Sequence, residues 1–315
     1  MGSTSGPVRV SLPDPASATV VVPAPAEGPG NWSGAASALR VGGRVYLTYR
    51  VRRPLDAGRG VTVIVAVSDD GVAFQPLCEV GRDQFGAESF EKPCLVRLPD
   101  GGWRLYLSCA TPGSKHWWVD SLTADTVETL ASGRRAVIHP GDAAVGVKDP
   151  VVVREGDLWD MWLTCHPLTE PGHEDRMTTR HLTSTDGLSW VDRGEVLAGR
   201  PGEWDARGAR VTALLRRDPL VLTYDGRPDA ASNWHETTGV VVQRNGRLEP
   251  VAGARRHSPF SDGAFRYATV VPASATDPRA GLRWYVELAR PDGAHDLVTM
   301  VTPEVGGVGG PVGGQ

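Results

Sequence analysis

The chain of 315 residues has few cysteines, few lysines and no long apolar run. Its four cysteines show no Cys-x-x-Cys spacing, which favours buried free thiols over a disulfide framework or a zinc site. No stretch of about 18 apolar residues occurs, which excludes a membrane-spanning helix. The net charge of −4 and the lack of a basic run argue against a nucleic-acid partner.

Several short motifs are also missing. The N-terminus lacks a charged start followed by an apolar stretch, so no secretory signal is indicated and we expect a cytoplasmic protein. No His-Glu-x-x-His, EF-hand, P-loop or Gly-x-Ser-x-Gly spacing occurs. We therefore expect no metal site and no cofactor.

A strand-like phrase occurs five times, at intervals of roughly 60 residues, which is the signature of a repeat array. Its copies begin at Arg44, Trp103, Leu158, Pro219 and Leu282. Each copy alternates apolar and polar residues and is rich in aromatic and β-branched types, as in a half-buried strand. A second apolar strand precedes each copy. In the clearest copies a third strand follows and leads into an Asp-Gly turn.

Four antiparallel strands repeated five times predict an all-β fold, a single-domain five-bladed β-propeller with four-stranded antiparallel blades. Radial closure would protect the edges of blades that cannot bury their own faces. We assign residues 31–303 to the propeller and residues 1–30 to an N-terminal extension that could complete the last blade. Residues 304–315 have the composition of a disordered glycine-rich tail.

Charged residues stand directly before the first strand of successive blades, where the inner strands of a propeller converge on one mouth of the channel. Aligning Glu-Lys-Pro of the second blade with Lys-Asp-Pro of the third places Lys92 opposite Asp149 and Glu91 opposite Lys148. Burial of a lone charge is costly, so such groups are either paired or functional. The further candidates from these positions are Glu88, Asp205, Arg207, Arg210, Asp262 and Arg266.

The segments Lys-Asp-Pro-Val-Val-Val, Ser-Thr-Asp-Gly-Leu-Ser-Trp and Ser-Asp-Asp-Gly-Val-Ala-Phe resemble five-bladed propeller glycoside hydrolases, chiefly family 43, with relatives in families 32, 62, 68 and 130. The resemblance spans roughly residues 30 to 303 and implies paired carboxyl chemistry. It implies that Asp149 is the stabilising or basic carboxylate and that Glu91 is the proton donor. Two departures stand out, since Asn31-Trp32-Ser33 supplies no carboxylate in the first blade and Lys92 replaces an aspartate.

Aromatic and imidazole side chains outside the strand phrases would suit a sugar-like ligand. The faces of Trp32, Trp117 and Trp118 could stack on sugar rings, and His166 follows the middle strand of the third blade. Lysine and arginine at the mouth would suit hydroxyl or acidic groups. We therefore place these four residues with the charged candidates in a substrate-binding set.

The resemblance implies an enzyme that acts by carboxylate acid/base chemistry on a glycoside or a sugar-bearing small metabolite, with Asp205 as a third catalytic candidate. Lysines beside Glu91 would lower its pKa, which opposes proton donation. Two alternatives stay open: a propeller that has lost hydrolysis and binds a carbohydrate or anionic ligand, and one recruited to a non-hydrolytic biosynthetic step. The expected partner is a small molecule or carbohydrate, and the sequence leaves the oligomeric state open.

Overall fold

The computed structural model describes residues 10–260, 263–277 and 280–303. These residues form twenty β-strands and four single-turn 3-10 helices, so the prediction of a mostly β chain is confirmed. None of the described helices is long and apolar enough to cross a membrane. The predicted tail lies outside the described residues.

The strands pair in five consecutive antiparallel groups. The first group comprises β2 (Trp32–Val41), β3 (Arg44–Arg52), β4 (Gly60–Ser68) and β5 (Gln75–Gly81), and the second β6 (Cys94–Arg97), β7 (Trp103–Ala110), β8 (Trp117–Ala124) and β9 (Arg134–His139). The third comprises β10 (Val145–Glu155), β11 (Leu158–Pro167), β12 (Thr178–Ser184) and β13 (Val191–Leu197). The fourth comprises β14 (Ala209–Arg216), β15 (Val221–Gly226), β16 (Thr237–Arg244) and β17 (Arg247–Arg256), and the fifth β18 (Phe265–Pro272), β19 (Leu282–Ala289), β20 (His295–Thr302) and β1 (Thr19–Val22).

The second and third groups are separate four-stranded sheets, whereas the other three groups are joined in one twelve-stranded sheet. Each junction in that sheet is a single parallel residue pair, Thr237 with Phe265 and Trp32 with His295. The antiparallel groups therefore remain the structural units. Strand β1, from the N-terminal part of the chain, pairs with β20 and completes the fifth group.

The first strands of the groups contact one another in a ring, in the order β2, β6, β10, β14, β18 and back to β2. Buried apolar side chains form five clusters, and each cluster joins two neighbouring groups around this ring. Leu105 and Tyr106 show how the alternation works, because these consecutive β7 residues pack against the first and the third group respectively. All four cysteines are buried and unpaired.

The Asp-Gly turns predicted in the first and third groups share one hydrogen-bond pattern. The hydroxyl of Ser68 donates to Asp70, whose carboxylate accepts the backbone N–H groups two and three residues further on, and Ser184 with Asp186 repeats the arrangement. Each turn continues with a glycine of positive φ. The prediction that the two turns occupy equivalent corners is confirmed.

Breaks in the pairing register interrupt four of the five first strands, namely β2, β10, β14 and β18. At three of these breaks a non-glycine residue has positive φ: Ala35 (50°), Asp149 (55°) and Tyr267 (53°). Such bulges re-aim side chains, and backbone of this kind persists only where surrounding contacts hold it. The breaks separate the residues that line two different cavities.

Candidate active site

Residues that precede the register breaks line a cavity of about 300 Å³, at the lower end of the range for small-molecule sites. Three tryptophans face it: Trp32, Trp117 and Trp234. Seven cationic side chains also line it, namely Arg50, Arg52, Arg59, Lys148, Arg210, Arg227 and Arg266. The acidic side chains in its wall are Glu91, Glu174, Asp175 and Glu236, so positive charge predominates.

Arg210 organises one side of the cavity floor. Its guanidinium donates to Asp149 at 3.2 Å and to Asp225 at 3.1 Å, and it lies 2.9 Å from a carboxylate oxygen of Glu236. Asp149 is fully buried and also accepts the backbone N–H of Lys92 at 3.1 Å. Asp149 is therefore a support beneath the cavity rather than part of its wall.

Glu287 organises the other side. Its carboxylate accepts from Arg266 at 2.8 and 2.9 Å and from Arg50 at 3.3 Å, and His295 Nδ1 lies 2.9 Å away. Gly34 makes room for it, because a Cβ at that position would lie 2.6 Å from Glu287 Cβ. Gly34 is equivalent to Glu91 of the second group, at a spacing of 57 residues (34 to 91). In the first group, Glu287 from β19 thus fills the space that corresponds to the Glu91 side chain of the second group.

Glu91 and Tyr267 form a hydrogen-bonded pair in the wall. The Tyr267 hydroxyl donates to Glu91 at 2.8 Å and accepts from Arg210 at 3.0 Å, while Arg50 forms a salt bridge with the same Glu91 oxygen. Burial alone would raise the pKa of Glu91, but Arg50 and then Lys148 outweigh it and the pKa is lowered. Burial raises the pKa of Tyr267 well above its ordinary value.

The other buried glutamates are also held ionised. Burial opposes the charge of Glu236, yet Arg210 and Arg266 lower its pKa to about 2. Burial also opposes the charge of Glu287, but its arginine and histidine partners, Arg266 above all, outweigh burial and lower its pKa. Both glutamates in this network that line the cavity, Glu91 and Glu236, are therefore carboxylates at neutral pH. A proton donor for a leaving group needs the opposite shift.

Three cavity cations, Arg52, Arg59 and Lys148, lack a carboxylate within salt-bridge distance among the described residues. Each lies against an aromatic face: Arg52 is 3.9 Å from the centre of the Trp32 ring, and Lys148 and Arg59 are 4.9 and 5.7 Å from that of Trp117. Burial and then Arg50 lower the pKa of Arg52 to about 9. These three cations have no direct ion pair with the described residues, although Glu91 attracts them at longer range.

His166 adds a neutral imidazole to the wall. Its Nε2 donates to the backbone carbonyl of Lys115 at 2.9 Å. Burial, followed by the nearby Lys148, lowers the pKa of His166 to about 4. Its Nδ1 is buried without a hydrogen-bond partner among the described atoms. The ring can therefore accept a hydrogen bond at Nδ1 but carries no charge at neutral pH.

The structure brings half of the predicted site residues into the cavity wall. The residues brought together are Glu91, Lys148, Arg210, Arg266, Trp32, Trp117 and His166. Asp149 lies beneath them, and Asp262 lies outside the described residues. The remaining predicted residues, Lys92, Glu88, Asp205, Arg207 and Trp118, do not line this cavity.

Most of the residues outside the cavity have structural partners. Asp205 is fully buried, accepts from Arg200 at 2.9 and 3.1 Å and accepts from the Tyr224 hydroxyl. Arg207 makes a two-point ion pair with Asp175 of the cavity rim. The carboxylate of Glu88 accepts the backbone N–H of Gly113. Trp118 packs in the cluster between the first two groups, and Lys92 lines a different cavity.

Sequence reasoning missed Arg50, Glu287 and Tyr267. Arg50 lies near the end of β3 and Glu287 near the end of β19, so each is a charge at the same end of a buried strand. That shared position was a usable signal, because buried charges require partners. Tyr267 carried no such signal, since a tyrosine in a strand usually packs in the core.

Among the described residues, no group of three or more histidine, cysteine, aspartate or glutamate side chains is arranged to hold a metal ion. The carboxylates of the cavity are instead directed at guanidinium groups. Arginine therefore supplies the positive charge that a metal ion would bring to such a cluster.

No family model and no curated protein sequence matches the chain. Solved structures do match it over nearly its whole length. A glycosyl hydrolase from Bacteroides ovatus is 14% identical, with 95% of this chain and 99% of that chain covered and a TM-score of 0.58. The α-L-arabinofuranosidase of Fusarium graminearum is 13% identical (92% and 98% covered, TM-score 0.59), and the β-1,2-mannobiose phosphorylase of Listeria innocua is 12% identical (92% and 92%, TM-score 0.57).

The chain has the fold of propeller-type glycosidases. The resemblance inferred from the sequence is confirmed at this level. At 12 to 14% identity the likeness concerns the fold, and the same fold supports many activities. What this chain does must be argued from its own cavity.

Proposed function

We propose that the five strand groups are the blades of a five-bladed propeller and that the cavity lies at one mouth of its channel. Three observations support five blades: the five antiparallel groups, the ring of contacts among their first strands, and the five apolar clusters between neighbouring groups. The cavity is then built from residues of all five blades, as propeller sites typically are.

We further propose that the cavity binds a small carbohydrate-like molecule carrying a carboxylate or phosphate group. The observation that carries this proposal is the set of cations Arg52, Arg59 and Lys148, which lack carboxylate partners and lie against tryptophan rings. An anionic group would supply the missing negative charge through charge-assisted hydrogen bonds. The exposed Trp234 beside these cations would hold an apolar ring surface.

Trp234 is placed to receive a sugar ring, because it is 44% exposed. It meets the buried Trp32 edge to face, with ring centres 5.9 Å apart, and Trp32 in turn contacts His295 at 4.4 Å and Arg52 at 3.9 Å. The exposed face of Trp234 would stack on the ligand, while the cations orient its acidic group. The polar wall suits hydroxyl groups on the rest of the ligand.

The observations support a binding function better than hydrolysis catalysed by a pair of carboxyl groups. A glycosidase of that kind needs one protonated carboxyl group, and the ion pairs of Glu91 and Glu236 lower the pKa of both. Asp149 does not reach the cavity wall. The proposal therefore follows the alternative of a propeller that binds a carbohydrate or anionic ligand, and it combines the two in one molecule.

The first test compares matched sugars by thermal shift, using glucuronate with glucose and mannose 6-phosphate with mannose. We expect stabilisation by at least one acidic member and by neither neutral one, because only the acidic group pairs with Lys148. Lys148→Met should weaken the affinity for the acidic sugar about tenfold or more, since hydrogen bonds to charged groups contribute about 1.5–3 kcal/mol. The exposed Lys115, changed in the same way, is the control and should leave affinity unchanged.

A second candidate function is glycosyl transfer to Tyr267, which the hydrogen bond from its hydroxyl to Glu91 favours. Tyrosine can act as a nucleophile when an adjacent base accepts its proton, and Arg210 could stabilise the phenolate. The raised pKa of Tyr267 and the lowered pKa of Glu91 both oppose this proton transfer, so this candidate ranks below binding. The phenolic oxygen would bond to the anomeric carbon as the leaving group departs, and water would later release the sugar.

This candidate predicts release of nitrophenol from an acidic nitrophenyl glycoside. Tyr267→Phe should reduce that turnover at least a thousandfold while ligand binding changes less than about threefold, because only the nucleophile is removed. Equal turnover by wild type and the variant would rule out Tyr267 as the nucleophile. Binding without turnover in wild type would leave the binding function alone.

A further inference from the structure

A second cavity, of about 430 Å³, is lined by residues that follow the register breaks of the first strands. All five groups contribute to it through β2, the β6 region, β10, β14 and β18. None of its lining residues also lines the first cavity. It is therefore a separate compartment on the other side of the breaks.

The wall of this second cavity is largely apolar, and its charged side chains are all cationic. Lys92, Arg40, Arg97 and Arg154 line it, and no aspartate or glutamate is among its lining residues. The three arginines close the first strands of successive groups at equivalent places, each spaced by 57 residues (40 to 97 to 154). The first cavity, by contrast, mixes seven cations with four acidic side chains. Three equivalent arginines and Lys92, with no acidic side chain among the lining residues, have the charge pattern of an anion site.

Lys92 is the most buried of these cations, with 1% of its surface exposed. Its backbone is anchored on both sides, because its N–H donates to Asp149 at 3.1 Å and its carbonyl accepts from Ser108 at 2.9 Å. Its ammonium group, in contrast, makes no hydrogen bond or ion pair with the described residues. A fully buried ammonium without a partner is costly unless it is neutralised or meets an anion.

The surroundings of Lys92 add polar contacts to the wall. Thr269 accepts the backbone N–H of Ala38 at 3.2 Å, which leaves its own hydroxyl proton available to a ligand. Ser37 and Thr212 supply further oxygen atoms, although both are already engaged with neighbouring threonines. Burial lowers the pKa of Lys92, and an anion beside it would raise the pKa again.

We infer that this second cavity binds a small multivalent anion, with Lys92 as its most buried contact and Arg40, Arg97 and Arg154 around it. The carriers of such charge are phosphate or carboxylate groups, and the site would take a molecule with two or more of them. This site is independent of the proposed sugar-acid function, because it uses other residues and another cavity.

The small number of lysines allows a direct test, since the chain contains only Lys92, Lys115 and Lys148. Protein labelled with carbon-13 at lysine Cε gives one signal for each. Titration with pyrophosphate should shift the Lys92 signal saturably and raise its pH midpoint, because the bound anion favours the ammonium form. A parallel titration with citrate distinguishes phosphate from carboxylate recognition.

Variants separate the two cavities. Arg97→Gln should weaken the saturable response of Lys92 at least tenfold, whereas Lys148→Met should leave it unchanged. A Lys92 signal that does not move while Lys148 responds would overturn the inference and assign the anion to the first cavity. Linear shifts of all three signals would overturn it as well, since they indicate non-specific association. Failure of the sugar-acid tests would not alter the Lys92 result.

Discussion

Replacing Glu287 by alanine is expected to lower the free energy of unfolding by about 3–5 kcal/mol at neutral pH. The carboxylate is fully buried and binds Arg50 and Arg266, neither of which has more than 3% of its side chain exposed. Its removal takes one of two carboxylate partners from each buried guanidinium, because among the described residues only Glu91 then pairs with Arg50 and only Glu236 with Arg266. It also removes the acceptor for the Ala35 backbone N–H at the first-strand bulge.

Urea denaturation measures this loss as a shift of the midpoint. The exposed Glu79 in β5 is the control, and its alanine variant should lie within about 0.5 kcal/mol of wild type. Glu287→Gln should fall between the two, because it keeps the shape and some hydrogen bonds but removes the charge. A change below about 1 kcal/mol in Glu287→Ala would contradict the described network.

Acid should destabilise the protein steeply between about pH 4.5 and pH 2. Glu236 has an ordinary pKa of 4.5 and a folded-state pKa of about 2, so the folded state resists its protonation. A carboxyl group with a depressed folded pKa stabilises fully above its unfolded pKa, and that stability is lost as the pH falls toward the folded value. The shift corresponds to about 3 kcal/mol from Glu236 alone, and Glu91 and Glu287 act in the same direction.

Protonation of Asp225 changes the stability in the opposite direction and over a different pH range. Burial raises its pKa to about 6, so its protonation should stabilise the fold as the pH falls from about 6 to 4. Denaturation curves at half-unit steps of pH would separate the two effects. In Glu236→Gln the fall below pH 4.5 should be about 3 kcal/mol smaller. If Glu236→Gln loses as much stability below pH 4.5 as wild type does, the assignment of a buried, ionised Glu236 is contradicted.

The fold was largely predictable because both faces of each middle strand are buried. Leu105 and Tyr106 illustrate this, since adjacent bulky residues pack into clusters on opposite sides of one strand group. Burial on both faces imposes the same alternation on every group and makes the repeat visible in the sequence. The pairing of β1 with β20 is less visible in the sequence, because it depends on two segments at opposite ends of the chain.

The site was predictable only in part, because bulges decide where neighbouring side chains point. Lys148 and Asp149 are adjacent, yet one lines the cavity and the other lies beneath it with Arg210. A one-residue shift in register exchanges such positions, and the sequence does not reveal it. Glu287 was hidden for a different reason, since it occupies the space beside Gly34 from a strand about 250 residues away.

The most direct test of the proposed anionic site is a crystal structure of the protein soaked in selenate, with anomalous differences measured at the selenium edge. Selenate is a dianion with a strong signal, so its position is found without prior choice of a sugar. We predict a peak in the first cavity, in contact with Lys148 and Arg59 beside the Trp117 ring. Selenate bound to arginines on the outer surface but not in the first cavity would contradict the proposal that the cations of this cavity bind an anionic group.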